Sequence, residues 1–173
     1  MPLRKTIYLI VLSLIIGLTA YYFYPEQPLP SNAKIDKIVV IKSKRQMLVY
    51  SKTELLKAYK ISLGNNPTGD KQIEGDKKTP EGFYTINDKN PRSDYYKNLG
   101  VSYPNQRDIE EAKKLGKPAG GDIKIHGLRN GTGIIHKFQR WFDWTMGCIA
   151  LTNDDMEEIY NHTAVGTPIE IRK

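Results

Sequence analysis

The stretch DWTMGCIALTNDD, residues 143–155, holds the single cysteine of a 173-residue chain. Cys148 directly follows Gly147, in a segment that gives little reason to bury a lone thiol. Further on, Thr152 stands three residues before Asp155, a capping-box spacing that predicts a helix beginning after Thr152. The role of Cys148 therefore decides how the rest of the chain is interpreted.

Cys148 has two interpretations. Free cysteine is often a small buried hydrophobe, whereas a nucleophilic thiol needs a neighbouring base and donors for an oxyanion. An exported protein meets an oxidising compartment, where structural cysteines usually occur in pairs, and this chain has no second cysteine. Gly147 lacks Cβ, which would let backbone N–H groups around Cys148 approach a substrate carbonyl. Thiol chemistry alone leaves both interpretations open.

Three histidines could supply the base, and their positions differ. His126 ends the predicted strand DIKIHG and precedes Gly127, so a rigid scaffold could hold its imidazole at a cleft. His162 follows the predicted helix, where an exposed or helix-terminal role is simpler. Position therefore favours His126 over His136 and His162, with a satisfied structural histidine as the alternative.

The sequence after the N-terminal region has mostly the residue pattern of β-strands. Runs of β-branched and aromatic residues separated by short polar breaks predict strands at 35–41, 47–50, 58–63, 83–86, 122–126 and 168–173. Helical signals are fewer: one helix is predicted at 107–116, with Asp108 as its cap and Gly116 as its stop, and another after Thr152. The pattern indicates a mostly β fold with two or three helices.

The N-terminus has the features of an export signal. Arg4 and Lys5 precede an uncharged, largely apolar run from Ile7 to Tyr24, which as a helix would span about 27 Å at about 1.5 Å per residue, close to the roughly 30 Å of a bilayer core. The aromatic residues 21–24 resemble an interfacial belt, so an uncleaved anchor is favoured over a signal peptide cleaved after Ala20. The predicted organisation is an anchor or signal at 1–24, a Pro-rich linker at 25–32 and one folded domain at 33–173.

Charge and orientation limit the partners. The basic flank should stay in the cytoplasm, which places the domain on the extracytoplasmic, periplasmic side of the inner membrane. The chain has 26 basic and 19 acidic residues, a net charge of +7, which suits an anionic partner. An exported domain has little nucleic acid to meet, so we expect none bound, and we expect a monomer.

Four motifs, in order along the exported part, resemble the L,D-transpeptidase family with the YkuD-type catalytic domain, enzymes of bacterial peptidoglycan. They are GDKKTPEGFYTI at 75–86, VSYPN at 101–105, IHG at 125–127 and TMGCIAL at 145–151. The resemblance implies a β-sandwich or flattened barrel with two or three peripheral helices. It implies an active site where the strand ending in His126 meets the cysteine loop, with no metal and no cofactor.

The resemblance also implies roles for single residues. Cys148 would be the acylated nucleophile, His126 its general base, and the Gly127 carbonyl would orient the imidazole. The implied substrate-binding or oxyanion positions are Tyr103, Trp144, Thr145, Met146 and Gly147. The implied substrate is a peptidoglycan tetrapeptide stem, cut after its third residue to release D-alanine and leave a thioester that an amine resolves. Carbapenems are implied to acylate the same cysteine.

Two positions depart from the family pattern. Met146 stands where a histidine is common, and Ala150 where an Asn or Arg is usual. His126 keeps the role of base, so these departures bear on acceptor choice, rate and the hydrogen bonding around the oxyanion site.

The spacing between His126 and Thr145 is longer than the usual motif allows. It predicts an enlarged flap, residues 128–144. For Trp141 and Trp144 of the flap, packing onto the domain is favoured over stacking on substrate.

Three functional classes follow. The first is transpeptidation, which forms crosslinks, exchanges D-amino acids or attaches proteins to the wall. The second is hydrolysis of the same thioester by an L,D-carboxypeptidase or amidase, and the third is an inactive wall-binding module. The presence of both Cys148 and His126 argues against the third, whereas water and an amine compete for one intermediate in the first two.

Overall fold

The computed structural model describes residues 3–173, which form three α-helices and one eight-stranded sheet. The helices are α1 Leu3–Phe23, α2 Gln106–Lys114 and α3 Asn153–His162, with 3₁₀ helices at Lys42–Lys44 and Gly133–Trp141. The strands are β1 Lys37–Ile41, β2 Gln46–Ser51, β3 Glu54–Lys60, β4 Gly82–Ser93, β5 Tyr96–Val101, β6 Lys124–His126, β7 Ile149–Ala150 and β8 Pro168–Arg172.

The sheet curls until its two edges meet. Its strand order is β3-β2-β1-β8-β4-β5-β6-β7, with parallel pairs at β1–β8 and β6–β7. Beyond β3, Ser62 pairs with Ala150 of β7, and the two backbones exchange N–H to O hydrogen bonds of 3.0 and 2.8 Å. This closure confirms the predicted mostly β, flattened-barrel fold with peripheral helices. Ala150 follows Cys148 by two residues, so Cys148 lies close to the point where the two edges of the sheet meet.

The first three predicted strands are confirmed as β1, β2 and β3, and each pairs antiparallel with the next. Ile38, Val39 and Val40 are all buried in β1, whereas in β2 the buried Met47 and Val49 alternate with half-buried neighbours. The third strand occupies Glu54–Lys60 rather than the predicted 58–63. It starts earlier because a tight turn through Lys52, with φ of 53°, reverses the chain directly after β2.

Helix caps differ in one detail from the prediction. Asn105, not Asp108, is the N-cap of α2: its side chain accepts from the Asp108 N–H, while the Asp108 carboxylate accepts from the Asn105 N–H. Gly116 follows the helix with φ of 66°, a left-handed conformation that suits its role as a stop. Thr152 caps α3, as predicted.

Residues 25–32 form no regular secondary structure, but they pack on the domain. Leu29 is buried in the main core, and its N–H donates to Glu158. Glu26 pairs with Arg140 at 2.6 Å. The segment is therefore attached along its length rather than a free spacer, while the predicted domain boundaries remain a prediction.

Candidate active site

Cys148 closes a tight turn, residues 145–148, that leads into β7. Thr145 ties this turn together, since its hydroxyl donates to the Cys148 carbonyl oxygen at 2.7 Å and accepts from the Gly147 N–H at 3.1 Å. The Gly147 N–H is thus already engaged. The prediction was that backbone N–H groups around Cys148 approach a substrate carbonyl, and this role of the segment stays a prediction.

Gly147 is required for a different reason. Its φ is 134°, a conformation that L side chains rarely adopt, and an added Cβ would lie 2.7 Å from the Lys78 carbonyl oxygen. Lys78 belongs to the long loop between β3 and β4, so this loop packs directly against the cysteine turn. Gly64, at the start of the loop, also packs closely against Gly147: a Cβ added to Gly64 would lie 3.0 Å from the Gly147 Cα.

The Asp76 carboxylate organises the long loop between β3 and β4. Asp76 accepts hydrogen bonds from the Gln72, Ile73 and Lys78 N–H groups and from the Lys71 ammonium, at 2.8 to 3.1 Å. Burial acts against the charged form, but these donors outweigh it and hold the pKa of Asp76 below its ordinary value. Residues of the motif at 75–86 therefore fix the backbone at Lys78, which packs against Gly147 of the cysteine turn.

His126 ends β6, the strand parallel to β7, and pairs in register with Ala150. Its Nδ1 lies 2.7 Å from the Gly127 carbonyl oxygen. A carbonyl can only accept, so Nδ1 carries the proton and Nε2 is left as the basic nitrogen. An added Cβ on Gly127 would lie 2.8 Å from the Asn153 Oδ1, so a larger residue would disturb this arrangement.

Two aromatic rings enclose the imidazole. Tyr95 lies 4.7 Å from it and Trp144 contacts it edge-on at 5.7 Å, measured between ring centroids. His126 is only 6% exposed, and burial, opposed by the Gly127 hydrogen bond and aided by the Lys124 charge, lowers the pKa of His126 to about 4. At neutral pH the imidazole is therefore uncharged and able to take a proton.

The thiol of Cys148 is half-buried in the same cleft. It points its S–H toward the Asp122 carbonyl oxygen at 3.6 Å. Burial raises the pKa of Cys148 above its ordinary value, and the Asp122 charge adds to this, although the Lys124 backbone N–H favours the thiolate. Burial thus disfavours the charged form of both groups, the thiolate of Cys148 and the imidazolium of His126.

The cleft that contains both groups has a volume of about 390 Å³. It is lined by Asn90, Arg92, Ser93, Asp94, Tyr95, Asn98, Asp122, Lys124, His126, Trp144, Thr145, Met146 and Cys148. Its charged residues have both signs: Arg92 and Lys124 are basic, and Asp94 and Asp122 are acidic. The β4–β5 hairpin forms the wall opposite the cysteine turn.

Asn98 is a cleft residue that the sequence did not single out. It lies on β5 directly opposite His126 in the antiparallel pair, so the two side chains share one face of the sheet. It is 3% exposed, yet its Oδ1 finds no hydrogen-bond partner among residues 3–173. A buried carboxamide without a partner is costly unless a ligand supplies one. Only the strand register, which a single sequence does not reveal, could have identified it.

The structure brings together most of the predicted site residues. Trp144, Thr145 and Met146 line the cleft with Cys148 and His126, and Met146 is 63% exposed at its mouth. Tyr103 is the exception: it is buried in the core, where its hydroxyl donates to the Ala119 carbonyl oxygen at 3.0 Å. The predicted substrate contact at Tyr103 is therefore replaced by a structural role, holding the segment that leads into β6.

Among residues 3–173, no group of three or more His, Cys, Asp or Glu side chains is placed to hold a metal ion. The expectation of metal-free and cofactor-free chemistry stays a prediction.

A curled β-sheet that presents a buried imidazole at the end of β6, and a thiol in the turn before its parallel neighbour β7, defines a class of domain with a cysteine–histidine site. The sequence pattern of the YkuD family, the L,D-transpeptidase catalytic domain, matches residues 35–171. The chain belongs to this family.

Individual relatives agree with this assignment. The chain is 32% identical over 129 residues to YafK of Escherichia coli K12, which carries the L,D-transpeptidase name provisionally, and the match covers 71% of this chain and 45% of YafK. The structure is similar to that of Pgp2, a helical cell shape determining protein of Campylobacter jejuni, with a TM-score of 0.61 and 28% identity over 82% of this chain and 49% of Pgp2.

An L,D-transpeptidase from Mycobacterium smegmatis shares the fold, with a TM-score of 0.54 at 18% identity over 82% of this chain and 59% of that one. The chain spans about half the length of YafK and Pgp2.

Proposed function

We propose that this chain is a membrane-anchored peptidoglycan L,D-transpeptidase in which Cys148 is the nucleophile and His126 the general base. The observation that carries the proposal is that a half-buried thiol and an imidazole whose Nδ1 is fixed by Gly127 line one cleft of a fold belonging to this family. A structural cysteine would need neither the base nor the cleft.

The first half-reaction releases D-alanine. Cys148 Sγ attacks the carbonyl carbon of the third stem residue while its proton passes to His126 Nε2. The imidazolium then gives this proton to the departing amine, the C–N bond breaks, and D-alanine leaves. His126 starts uncharged, so it can take the thiol proton and then give it to the departing amine.

The second half-reaction resolves the thioester. An acceptor amine attacks the thioester carbonyl, His126 removes its extra proton, and the C–S bond breaks with the proton returned to sulfur. The new amide leaves the cleft, and the neutral pair is restored. Water in place of the amine would give the hydrolytic L,D-carboxypeptidase.

Two further residues have proposed roles in donor binding. Asn98 offers its unpartnered Oδ1 on the His126 side of the cleft, where it would accept a hydrogen bond from a backbone N–H of the stem peptide. With the Gly147 N–H engaged, the Cys148 N–H is the proposed donor to the developing oxyanion. Met146, exposed at the mouth, would contact the acceptor.

Location and biological role are also proposals. The apolar helix α1, with a mean hydropathy of 2.0 over its best 18-residue window, would remain attached and hold the domain on the outer face of the inner membrane. The similarity to Pgp2 supports a role in wall remodelling that affects cell shape.

The test is incubation of the purified protein with a tetrapeptide muropeptide, with and without an amine acceptor, followed by mass spectrometry. A transpeptidase gives the acceptor-linked product, whereas a carboxypeptidase gives the tripeptide under both conditions. Unchanged muropeptide in both mixtures, with the protein folded, would contradict the proposal.

A further inference from the structure

The flap carries an exposed apolar surface away from the cleft. Ile134 is 81% exposed, Trp141 59% and Phe142 58%. These residues belong to or adjoin the 3₁₀ segment Gly133–Trp141, in which His136 breaks the helical conformation with φ of 45°. Three large apolar side chains exposed on one short segment make it a candidate interaction site.

The end of α1 docks on this segment. The Tyr21 hydroxyl donates to the Lys137 carbonyl oxygen at 3.2 Å, and the Tyr22 hydroxyl donates to the Ile134 carbonyl oxygen at 3.0 Å. The Tyr21 ring lies 5.6 Å from that of Trp141. These contacts fix the height of the flap along the helix at Tyr21 and Tyr22.

Tyr21 and Tyr22, beside which the flap lies, are at the position along α1 that corresponds to a membrane surface. As a helix, the apolar run that starts at Ile7 reaches the far side of the hydrocarbon core within its last turn, because it is about 27 Å long against a core of roughly 30 Å. Tyr21 and Tyr22 therefore lie at the headgroup boundary, where tyrosine is enriched. Since Ile134 and Trp141 contact these tyrosines, they lie at the same depth.

The charges of the segment point inward rather than toward this surface. Lys137 is buried and donates to the Tyr24 carbonyl oxygen. Arg140 is held between Glu26 and Asp155, with both pairs at 2.6 Å. The outer face is thus apolar and aromatic, which suits the boundary between headgroups and acyl chains better than an anionic partner in water.

We propose that residues 134–142 of the flap are a second membrane contact, with Ile134, Trp141 and Phe142 inserted in the lipid interface beside α1. The proposal rests on α1 spanning the membrane, as put forward above. It gives the flap a function that the cysteine chemistry does not require. It also fixes the tilt and height of the cleft, since Trp144 follows Trp141 by three residues, and so directs the enzyme to stem peptides close to the membrane.

The two tryptophans of the chain, Trp141 and Trp144, provide the experiment. The full-length protein is reconstituted in phosphatidylcholine and phosphatidylglycerol vesicles whose acyl chains are brominated near the headgroup. Trp144→Phe leaves Trp141 as the only tryptophan, and Trp141→Phe leaves Trp144 as a matched control. We expect Trp141 to lose more than half of its emission relative to unbrominated vesicles, and Trp144 to keep its emission.

A second variant tests the contact itself. In the Trp144→Phe protein, Ile134→Ser and Phe142→Ser together should restore much of the Trp141 emission, because the segment loses its apolar face. Vesicle-bound protein with Trp141 unquenched, or with both tryptophans quenched equally, would overturn the flap contact alone. Protein that leaves the vesicles in a high-salt wash would overturn the anchor as well.

Discussion

The Thr145 hydroxyl and the Cys148 carbonyl oxygen are joined by a 2.7 Å hydrogen bond across the turn that presents the thiol. Thr145 is buried, so this bond is shielded from water. The same hydroxyl accepts from the Gly147 N–H. One side chain thus sets the backbone on both sides of Met146 and aims Cys148 into the cleft.

Thr145→Val should disturb this aim without emptying space in the core. The methyl keeps the shape of the hydroxyl but neither donates nor accepts, so the turn loosens. A misplaced nucleophile should lower kcat/KM by roughly 10- to 100-fold. Thr145→Ser, which keeps the hydroxyl, should retain most of the activity. Activity lost in Thr145→Ser but kept in Thr145→Val would mean that packing of the methyl, not the hydrogen bond, positions the thiol.

Asn98→Leu separates function from stability. Removing an unpartnered buried carboxamide should raise the urea midpoint slightly, while the lost hydrogen bond to the donor peptide should lower kcat/KM by about tenfold. Alkylation of Cys148 by iodoacetamide needs no peptide contact and should keep its wild-type rate. Unchanged kcat/KM would show that Asn98 does not contact the donor.

The pH dependence of stability reports on His126. An unfolded histidine titrates near pH 6.5, whereas the pKa of His126 in the folded protein is about 4. Between these values the unfolded chain binds more protons, so stability falls as the pH is lowered, by about 3 kcal/mol for a shift of this size. Urea unfolding in non-ionic detergent at pH 7 and pH 4.5 should show a smaller loss for His126→Gln than for the wild type. Identical losses would contradict a buried neutral imidazole.

The attachment of residues 25–32 predicts the effect of truncation. A protein beginning at Pro25 keeps Leu29 in the core, and one beginning at Ala33 loses it. The shorter protein should be less stable by about 2 kcal/mol, the usual value for burying one leucine side chain. Leu29→Ala in the longer protein should reproduce most of this loss in urea unfolding. Equal stability of the two truncated proteins would mean that the segment packs without contributing.

The sequence predicts the parts of this site that are local in the chain. The motif residues His126, Gly127 and Cys148 could be located because a strand end and a glycine–cysteine turn are read from adjacent residues. The position of Asn98 could not, since it depends on which residue β5 places opposite His126. Leu29 was missed for a related reason: one apolar residue in a Pro-rich stretch has no periodicity to indicate burial. Tyr103 was misassigned because a motif shows that a residue recurs, not whether it contacts substrate or core.

The most direct test of the central claim is intact-protein mass spectrometry after rapid acid quenching of the enzyme with a tetrapeptide donor and no acceptor. We expect one adduct with the mass of the donor less D-alanine, confined to the Cys148 peptide and absent in Cys148→Ala. His126→Ala should slow its formation by several orders of magnitude, and His136→Ala, altered outside the cleft, should form it at close to the wild-type rate. Turnover of the donor by Cys148→Ala, or an adduct that forms equally fast without His126, would contradict the account.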